Sequence, residues 1–152
     1  YFQILAALGL YNTLTGLIIA YVTLCLPFAV WMSKGYFDSI PRELDEAGLV
    51  DGASRLQIFL RVIMPIALPG TVTTLLFAFL LAWQDLLWAL CLISIDEKRT
   101  VTLGVAFSVG EFVVKWPMLT AASLIGSLPT LILYLALQRF YVEGLARGAV
   151  KG

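Results

Sequence analysis

The chain contains 152 residues, of which 61% are hydrophobic and 13% are charged. A soluble domain has roughly 45–50% apolar and about 25% charged residues, so this composition excludes an ordinary soluble protein and indicates an integral membrane protein. Ten basic and ten acidic residues give a net charge of zero, which provides no basis for nucleic-acid binding. The chain also lacks histidine, the commonest metal ligand and general base.

The chain opens with an apolar run that contains no charge as far as Ser33. Residues 1–9 are interpreted as the end of an earlier membrane span, and a turn is predicted at Tyr11-Asn12-Thr13. A first complete span is predicted over about residues 13–33, because a helix of that length reaches about 31 Å and crosses a bilayer. Pro27 is expected to kink this span.

An amphipathic segment follows over about residues 38–64, and it is the only long one in the chain. Asp38 or Ser39 is predicted to cap its first helix, with Pro41 in the first turn. The segment is therefore predicted to form a helix, a glycine turn and a second helix at a membrane surface.

The second helix of this segment is predicted to begin after the turn pair Asp51-Gly52, where glycine tolerates positive φ and Asp51 is a candidate N-cap. Its apolar residues repeat with the i, i+3, i+4, i+7 spacing of one helix face. They are Leu56, Phe59, Leu60 and Ile63. Pro65 and Pro69 are then expected to bend or restart the chain. On this pattern alone, an interfacial helix with a solvated face and no partner is an equal alternative to a docking element.

A second span is predicted over about residues 65–93, starting from a long uncharged run. Asp85 lies about 30 Å along a helix from Pro65, which places it near the far interface. Trp83 and Trp88 flank it as an aromatic belt would. Asp85 is therefore interpreted either as a carboxylate that caps or pairs locally or as a residue that lines a translocation cavity.

The region from Ser94 to Trp116 is polar, with a charged turn at residues 96–99 and a short helix or re-entrant piece over residues 100–107. A third span is predicted over about residues 117–138, and Pro129 is expected to kink it. Small residues four positions apart give this span a face for close packing against another helix. They are Ala122 with Gly126 and Ser123 with Ser127.

The distribution of basic residues predicts the orientation. Seven of the ten lie in the amphipathic segment with its flanks and in a polar tail over residues 139–152, which three crossings put on the same side. The other three lie between the second and third spans. The positive-inside rule therefore predicts that the amphipathic segment and the tail are cytoplasmic.

Bond-making chemistry has no visible basis in the sequence. It contains no G-x-x-x-x-G-K-[ST] phosphate loop, so we do not expect this chain to bind or hydrolyse ATP itself. Without histidine no Ser/His/Asp or Cys/His set is available. Cys25 and Cys91 lie in separate apolar runs without disulfide or zinc spacing. No enzyme activity, metal site or cofactor is predicted.

One pattern resembles the EAA loop of permease subunits of bacterial ABC importers. It runs Glu46-Ala47-Gly48, three residues, Gly52, nine residues, then Val62-Ile63-Met64-Pro65. Gly48 stands where that loop has alanine, and it is expected to weaken its helix by about 1 kcal/mol. Other segments resemble the sugar-importing branch, with its maltose-type and glycerol-phosphate-type permeases. They are residues 27–31, 37–41, 83–85 and the tail from Gln138, so the resemblance covers essentially the whole chain.

The resemblance implies an all-α integral membrane protein, a transmembrane helix bundle with a cytoplasmic helix–glycine turn–helix coupling loop. It implies a multi-pass subunit in the cytoplasmic membrane of a bacterium or archaeon, forming part of one transmembrane domain. The implied partners are a second permease subunit, two ATP-binding subunits that hydrolyse ATP, an extracytoplasmic solute-binding protein and membrane lipid.

The resemblance also implies site residues. Those expected to dock the ATPase are Glu43, Glu46, Ala47, Gly48, Asp51, Gly52, Phe59 and Pro65. Glu46 is expected to pair with a basic group, while apolar residues supply most of the affinity; the candidates are Leu44, Leu49, Ile58 and Phe59. Residues 148–152 are a second, weaker contact. Candidates for the translocation path are Trp83, Gln84 and Asp85.

Three alternatives remain open from the sequence. Permeases of this branch are longer and have further spans, so we expect this chain to be a C-terminal portion, although a short chain is an alternative. The solute is expected to be a sugar, and a permease of the same architecture for another solute is an alternative. The third alternative is a non-transporting membrane scaffold whose cytoplasmic helices recruit a soluble partner.

Overall fold

A computed structural model describes the backbone of residues 1–109 and 116–149, and the side chains of residues 1–109 and 116–138. Its α-helices, in chain order, are α1 Phe2–Ala7, α2 Leu14–Asp38, α3 Glu43–Val50, α4 Arg55–Ile58, α5 Met64–Trp83, α6 Leu87–Leu92, α7 Val101–Phe107 and α8 Trp116–Ala149. A π-helical segment, Phe59–Ile63, joins α4 to α5, and a 3-10 turn, Asp96–Lys98, precedes α7. The predicted all-helical class is confirmed for the described part of the chain.

Three helical stretches are long and apolar enough to cross a membrane: Leu14–Asp38, Arg55–Trp83 and Trp116–Gln138. Their bounds differ from the predicted spans in three ways. Helix α2 extends five residues beyond residue 33, helix α5 ends at Trp83 instead of residue 93, and helix α8 continues through most of the predicted tail. The tail side chains, and residues 150–152 altogether, lie outside the described part.

The end of α2 is stabilised by its own side chains. Lys34 and Asp38 form an ion pair one turn apart on this helix, and the Ser39 hydroxyl donates to the carbonyl of Tyr36 at 2.7 Å. The prediction that Asp38 or Ser39 caps α3 is therefore wrong, because both side chains bond to the helix that precedes them. The residue at the N-cap of α3 is Arg42, which makes no side-chain cap.

The chain divides into two compact units, and the first comprises residues 1–26 and 79–134. Its core is a cluster of seven buried apolar residues from α1, α2, α6 with the residue that follows it, and α7. They are Leu5, Leu17, Ala20, Ala89, Leu92, Ile93 and Leu103. The turn at Asn12 is joined to Ser94, whose backbone N–H donates to the Asn12 side chain at 2.6 Å. This hydrogen bond therefore links the turn between α1 and α2 to the chain that follows α6.

The second unit comprises residues 27–78 and 135–152. Gly70 of α5 lies directly under the ring of Tyr36 in α2, and a methyl group added at Gly70 would come within 2.2 Å of that ring. Thr73 and Thr74, one turn further along, are buried and donate their hydroxyls to carbonyls four residues back. The close approach of α2 to α5 thus depends on the absence of a side chain at one position.

We predict that Gly70→Ala lowers the thermal stability of the purified protein, by about 1–3 kcal/mol in free energy of unfolding, because the added methyl overlaps the Tyr36 ring. Gly35→Ala is the matched control, since Gly35 also lies in a helix and has nothing within 4 Å of the added methyl. It should be neutral or slightly stabilising. Equal melting temperatures for the two variants in detergent would contradict the close contact.

Candidate functional site

The segment predicted as a docking element folds as a helix pair. Helix α3 ends at Val50 with Asp51 as its C-cap, and Gly52 adopts φ +77°, a left-handed conformation that glycine reaches without a steric penalty. The N–H of Gly52 donates to the carbonyl of Leu49, and that of Ala53 donates to the carbonyl of Gly48. The turn therefore satisfies carbonyl groups that the end of a helix leaves free.

Helix α4 begins with a capping box. The Ser54 hydroxyl accepts from the N–H of Gln57 at 3.4 Å, and the Gln57 side chain accepts from the N–H of Ser54 at 2.8 Å. The prediction that Asp51 caps this helix is wrong, because Asp51 closes α3 by donating its N–H to the carbonyl of Ala47. The signal for the correct cap was present as Ser followed three residues later by Gln.

The two helices of the pair touch at Gly48. A methyl group at this position would lie 2.7 Å from Cγ1 and 2.9 Å from Cδ1 of Ile58, whose side chain is only 2% exposed. Ile58 thus occupies the space that a side chain at Gly48 would need. The expectation that Ile58 enters a cleft in a partner is wrong, because this side chain is already buried within its own chain.

The outward surface of the pair is acidic and partly apolar. Glu43, Glu46 and Asp51 are exposed, and within the described residues none of them forms an ion pair. Glu43 and Glu46 belong to the first turn of α3, where the positive end of the helix dipole favours carboxylates. Ala47 is exposed beside them, and Leu49 is 48% exposed. The surface therefore presents unpaired negative charge beside apolar area.

Phe59 and Pro65 occupy the connection from the pair to α5. Phe59 is 43% exposed and stacks on Phe37 with ring centroids 6.5 Å apart. The π-helical turn ends directly before α5, and Pro65 is the second residue of α5. The helical stretch Arg55–Trp83 is continuous across this point. The chain is thus not restarted at Pro65 or at Pro69, and the pair is joined to the apolar helix without a loop.

Asp85 acts as a local cap. Its carboxylate accepts from the N–H groups of Trp88 at 3.1 Å and Ala89 at 3.2 Å, which starts α6. The span predicted over residues 65–93 is therefore divided into two helices, α5 and α6, and Asp85 lies in the short connection between them. The buried hydroxyl of Tyr21 lies close to the same carboxylate.

Trp83 is held from two sides. Its indole N–H donates to the carbonyl of Gly126 at 3.0 Å, and its own carbonyl accepts from the Thr102 hydroxyl at 2.7 Å. Gly126, predicted to lie on a face for another helix, also packs against Val101 of α7. Gln84, between Trp83 and Asp85, is exposed and is the one side chain of this tripeptide that points to open space.

The contacts of Tyr21 and Thr102 were not expected from the sequence. Both residues are distant along the chain from their partners, and neither belongs to a pattern with a regular spacing. Gly126 carried a usable signal, the small-residue spacing, but not the identity of the helix that it contacts. Among the described residues, no three His, Cys, Asp or Glu residues are arranged to hold a metal ion.

Comparison with known proteins identifies relatives of this chain. A family model described as "Binding-protein-dependent transport system inner membrane component" matches residues 2–142. The chain is 42% identical to the inner membrane ABC transporter permease protein YcjP of Escherichia coli and 38% identical to the sulfoquinovosyl glycerol transport system permease protein SmoH of Agrobacterium fabrum. It is 36% identical to the trehalose/maltose transport system permease protein MalG of Thermococcus litoralis.

Each of these three alignments covers 99% of this chain, but only 54%, 53% and 55% of the respective relatives. The chain therefore spans about half the length of the curated relatives it matches.

We predict that Gly48→Ala and Ile58→Ala interact strongly in a double-mutant cycle. Alanine should favour the helix by about 1 kcal/mol, but in the native background this gain is lost because the methyl group overlaps Ile58. Truncating Ile58 to alanine removes Cγ1 and Cδ1, the two atoms that overlap the added methyl, so the double variant should be more stable than the two single effects predict. The measurement is chemical or thermal unfolding of all four forms, and additive effects within about 0.3–0.5 kcal/mol would disprove the contact.

We predict that Asp85→Ala destabilises α6 by about 1 kcal/mol, whereas Asp85→Asn loses less because the amide oxygen still accepts hydrogen bonds. Amide hydrogen exchange at Trp88 and Ala89 measures this directly. Protection should fall in the alanine variant and be largely kept in the asparagine variant. If exchange at these two amides is the same in all three proteins, Asp85 is not the cap.

Proposed function

This chain belongs to the family of binding-protein-dependent transport system inner membrane components, and we propose that it forms part of the transmembrane permease subunit of an ATP-driven importer for a sugar or glycoside. The observation that carries the proposal is 36–42% identity, over 99% of the chain, to three relatives whose names describe permeases. One name describes an ABC transporter permease, and the other two describe transport systems for sulfoquinovosyl glycerol and for trehalose or maltose.

The names of further relatives support the choice of solute class. A 38% identical protein of Mycobacterium tuberculosis is a trehalose transport system permease, and a 36% identical protein of Streptomyces coelicolor is a diacetylchitobiose uptake system permease. All of these solutes are glycosides. We therefore take a monosaccharide glycoside or a small oligosaccharide as the cargo.

In this proposal, the pair α3–α4 couples the chain to a separate ATPase subunit. The supporting features are mechanical. Gly52 fixes the turn, the Ser54 capping box fixes the start of α4, and Ile58 packed on Gly48 fixes the two helices against each other. Because α4 continues into α5 without a loop, a displacement of the pair would be passed to an apolar helix long enough to cross the membrane.

Glu46 is proposed to fix how the ATPase aligns along the helix pair. It is exposed and has no ion-pair partner within the described residues, so its carboxylate is available to a basic group. A single exposed ion pair contributes about 0–1 kcal/mol, and most of the affinity would come from burying Leu49 and Phe59. Both side chains are close to half exposed, at 48% and 43%.

We place the pair and the end of α8 in the cytoplasm, because seven of the ten basic residues lie on that side of a three-span arrangement. The complete importer would then contain a second permease subunit, two ATP-binding subunits and an extracytoplasmic solute-binding protein. Residues 148–152 remain a second proposed contact with the ATPase.

The turn of Trp83, Gln84 and Asp85 is proposed to border the translocation path. Trp83 and Asp85 use their polar atoms to hold α6, α7 and α8, so their role would be to shape this wall. Gln84, which is exposed, is the residue offered to a passing solute.

The function is tested by reconstituting the complex in vesicles with its ATPase subunits and solute-binding protein. ATP-dependent uptake of a labelled sugar, with stimulation of ATPase activity by the same sugar, is the expected result. If amino acids, phosphate or polyamines stimulated the ATPase activity instead, the transported solute would belong to that class and not to the sugars. Absence of uptake with every partner present would favour a membrane scaffold.

We predict that Glu46→Lys and Gly52→Pro abolish co-purification of the ATPase while membrane insertion stays normal. The first variant reverses the charge of the proposed contact, and the second forces a negative φ where the turn requires +77°. Glu97→Lys is the matched control, because Glu97 is equally exposed but lies in the turn between the second and third spans. Normal ATPase yield with Glu46→Lys and Gly52→Pro would refute the docking role.

A further inference from the structure

A cleft of about 820 Å³ lies inside the second unit, at the end of α2 and beside the pair α3–α4. Its apolar wall contains the stacked rings of Phe37 and Phe59, with Ile58 and Ile63 beside them. This volume falls within the range of small-molecule sites, about 300–1,000 Å³. Glu46 is not among the residues that line the cleft, whereas Asp45 and Leu49 of the same helix are.

The lining of the cleft carries three basic residues, Lys34, Arg42 and Arg55, and two acidic ones, Asp38 and Asp45, so its formal charge is +1. Lys34 is paired with Asp38. Arg42 and Arg55 are exposed and have no ion pair within the described part of the chain. Asp45 is likewise exposed and has no ion pair among the described residues, so two free guanidinium groups face one free carboxylate. This excess of positive charge and the apolar wall together fit a ligand that has an anionic head and an apolar body.

The cleft lies at the end of an apolar helix that is long enough to cross a membrane. Helix α2 has 25 residues, or about 37 Å, which exceeds a hydrocarbon core of about 30 Å, so its last turn reaches the headgroup region. Lys34 and Phe37 belong to that end of α2, and Ile63 directly precedes α5. Anionic lipids concentrate in the cytoplasmic leaflet and attract basic residues next to a span.

From these observations we propose that the cleft binds one anionic phospholipid. Arg42 and Arg55 contact its phosphate group, and the first part of an acyl chain lies against Phe37 and Ile63. This inference rests on the cytoplasmic orientation in the proposed function. A lipid in this cleft would lie between the end of α2 and the helix pair, and it would restrict movement of the pair relative to α2.

The test uses the intact importer complex, stripped of lipid in detergent and titrated with phosphatidylglycerol or phosphatidylcholine. Native mass spectrometry counts the lipid adducts. The wild-type complex should bind one phosphatidylglycerol per cleft in preference to phosphatidylcholine. Arg42→Gln and Arg55→Gln should each lower the phosphatidylglycerol affinity about fivefold, and the double variant about thirtyfold, because each basic residue near an anionic lipid contributes about one such factor.

Arg61→Gln is the matched control. Arg61 is exposed and lies six residues beyond Arg55 on the same helical stretch, but it does not line the cleft. It should change the affinity less than twofold. Glycerol phosphate, which has the head without the acyl chain, should not displace the lipid at equal concentration.

Four results would overturn the lipid site: no preference for phosphatidylglycerol, equal effects of Arg55→Gln and Arg61→Gln, displacement by glycerol phosphate, or loss of the ATPase from the double variant with lipid binding unchanged. The last would make the ATPase the occupant. Because adduct formation does not require transport, a complex that binds the lipid through these arginines but takes up no sugar contradicts only the proposed function.

Discussion

The rigidity of the helix pair depends on contacts in which one partner has no side chain. Ile58 fills the space above Gly48, and the ring of Tyr36 fills the space above Gly70. The first contact fixes α3 against α4, and the second fixes α2 against α5. Since α4 and α5 belong to one helical stretch, both contacts fix the position of that same stretch. Dispersion contacts at this range are lost when a gap opens and become repulsive when a methyl is inserted, so each glycine specifies one arrangement.

The elements of this fold were predictable where the signal is local and periodic. Apolar runs gave the three long helices, and Asp51-Gly52 gave the turn with its positive φ. Helix ends were less predictable, because a polar side chain near a boundary can bond forward or backward. Asp38 and Ser39 bond backward to α2, and Asp51 closes α3, which leaves Ser54 to start α4.

The candidate site shows the same limit at longer range. The sequence offered Asp85 as either a cap or a cavity residue, and its bonds to Trp88 and Ala89 are those of a cap. The spacing that flagged Gly126 did not indicate that Trp83 and Val101 would meet it. Those contacts depend on how distant segments pack, and no pattern within one segment encodes them. The exposure of Glu46, by contrast, follows from its position in an amphipathic helix.

The π-helical turn at Phe59–Ile63 changes the direction in which the side chains of α4 point relative to those of α5. A π turn holds one more residue than an α turn, so side chains before and after it are offset by about 100° relative to an uninterrupted α-helix. The face of α4 that packs against Gly48 and the face of α5 that packs against Tyr36 are therefore aligned by the inserted residue. Loss of one residue from this turn would rotate the helix pair about the axis of the span, even though every side chain outside the turn stayed the same. Chain length at this junction is thus as strictly specified as the side chains on either side of it.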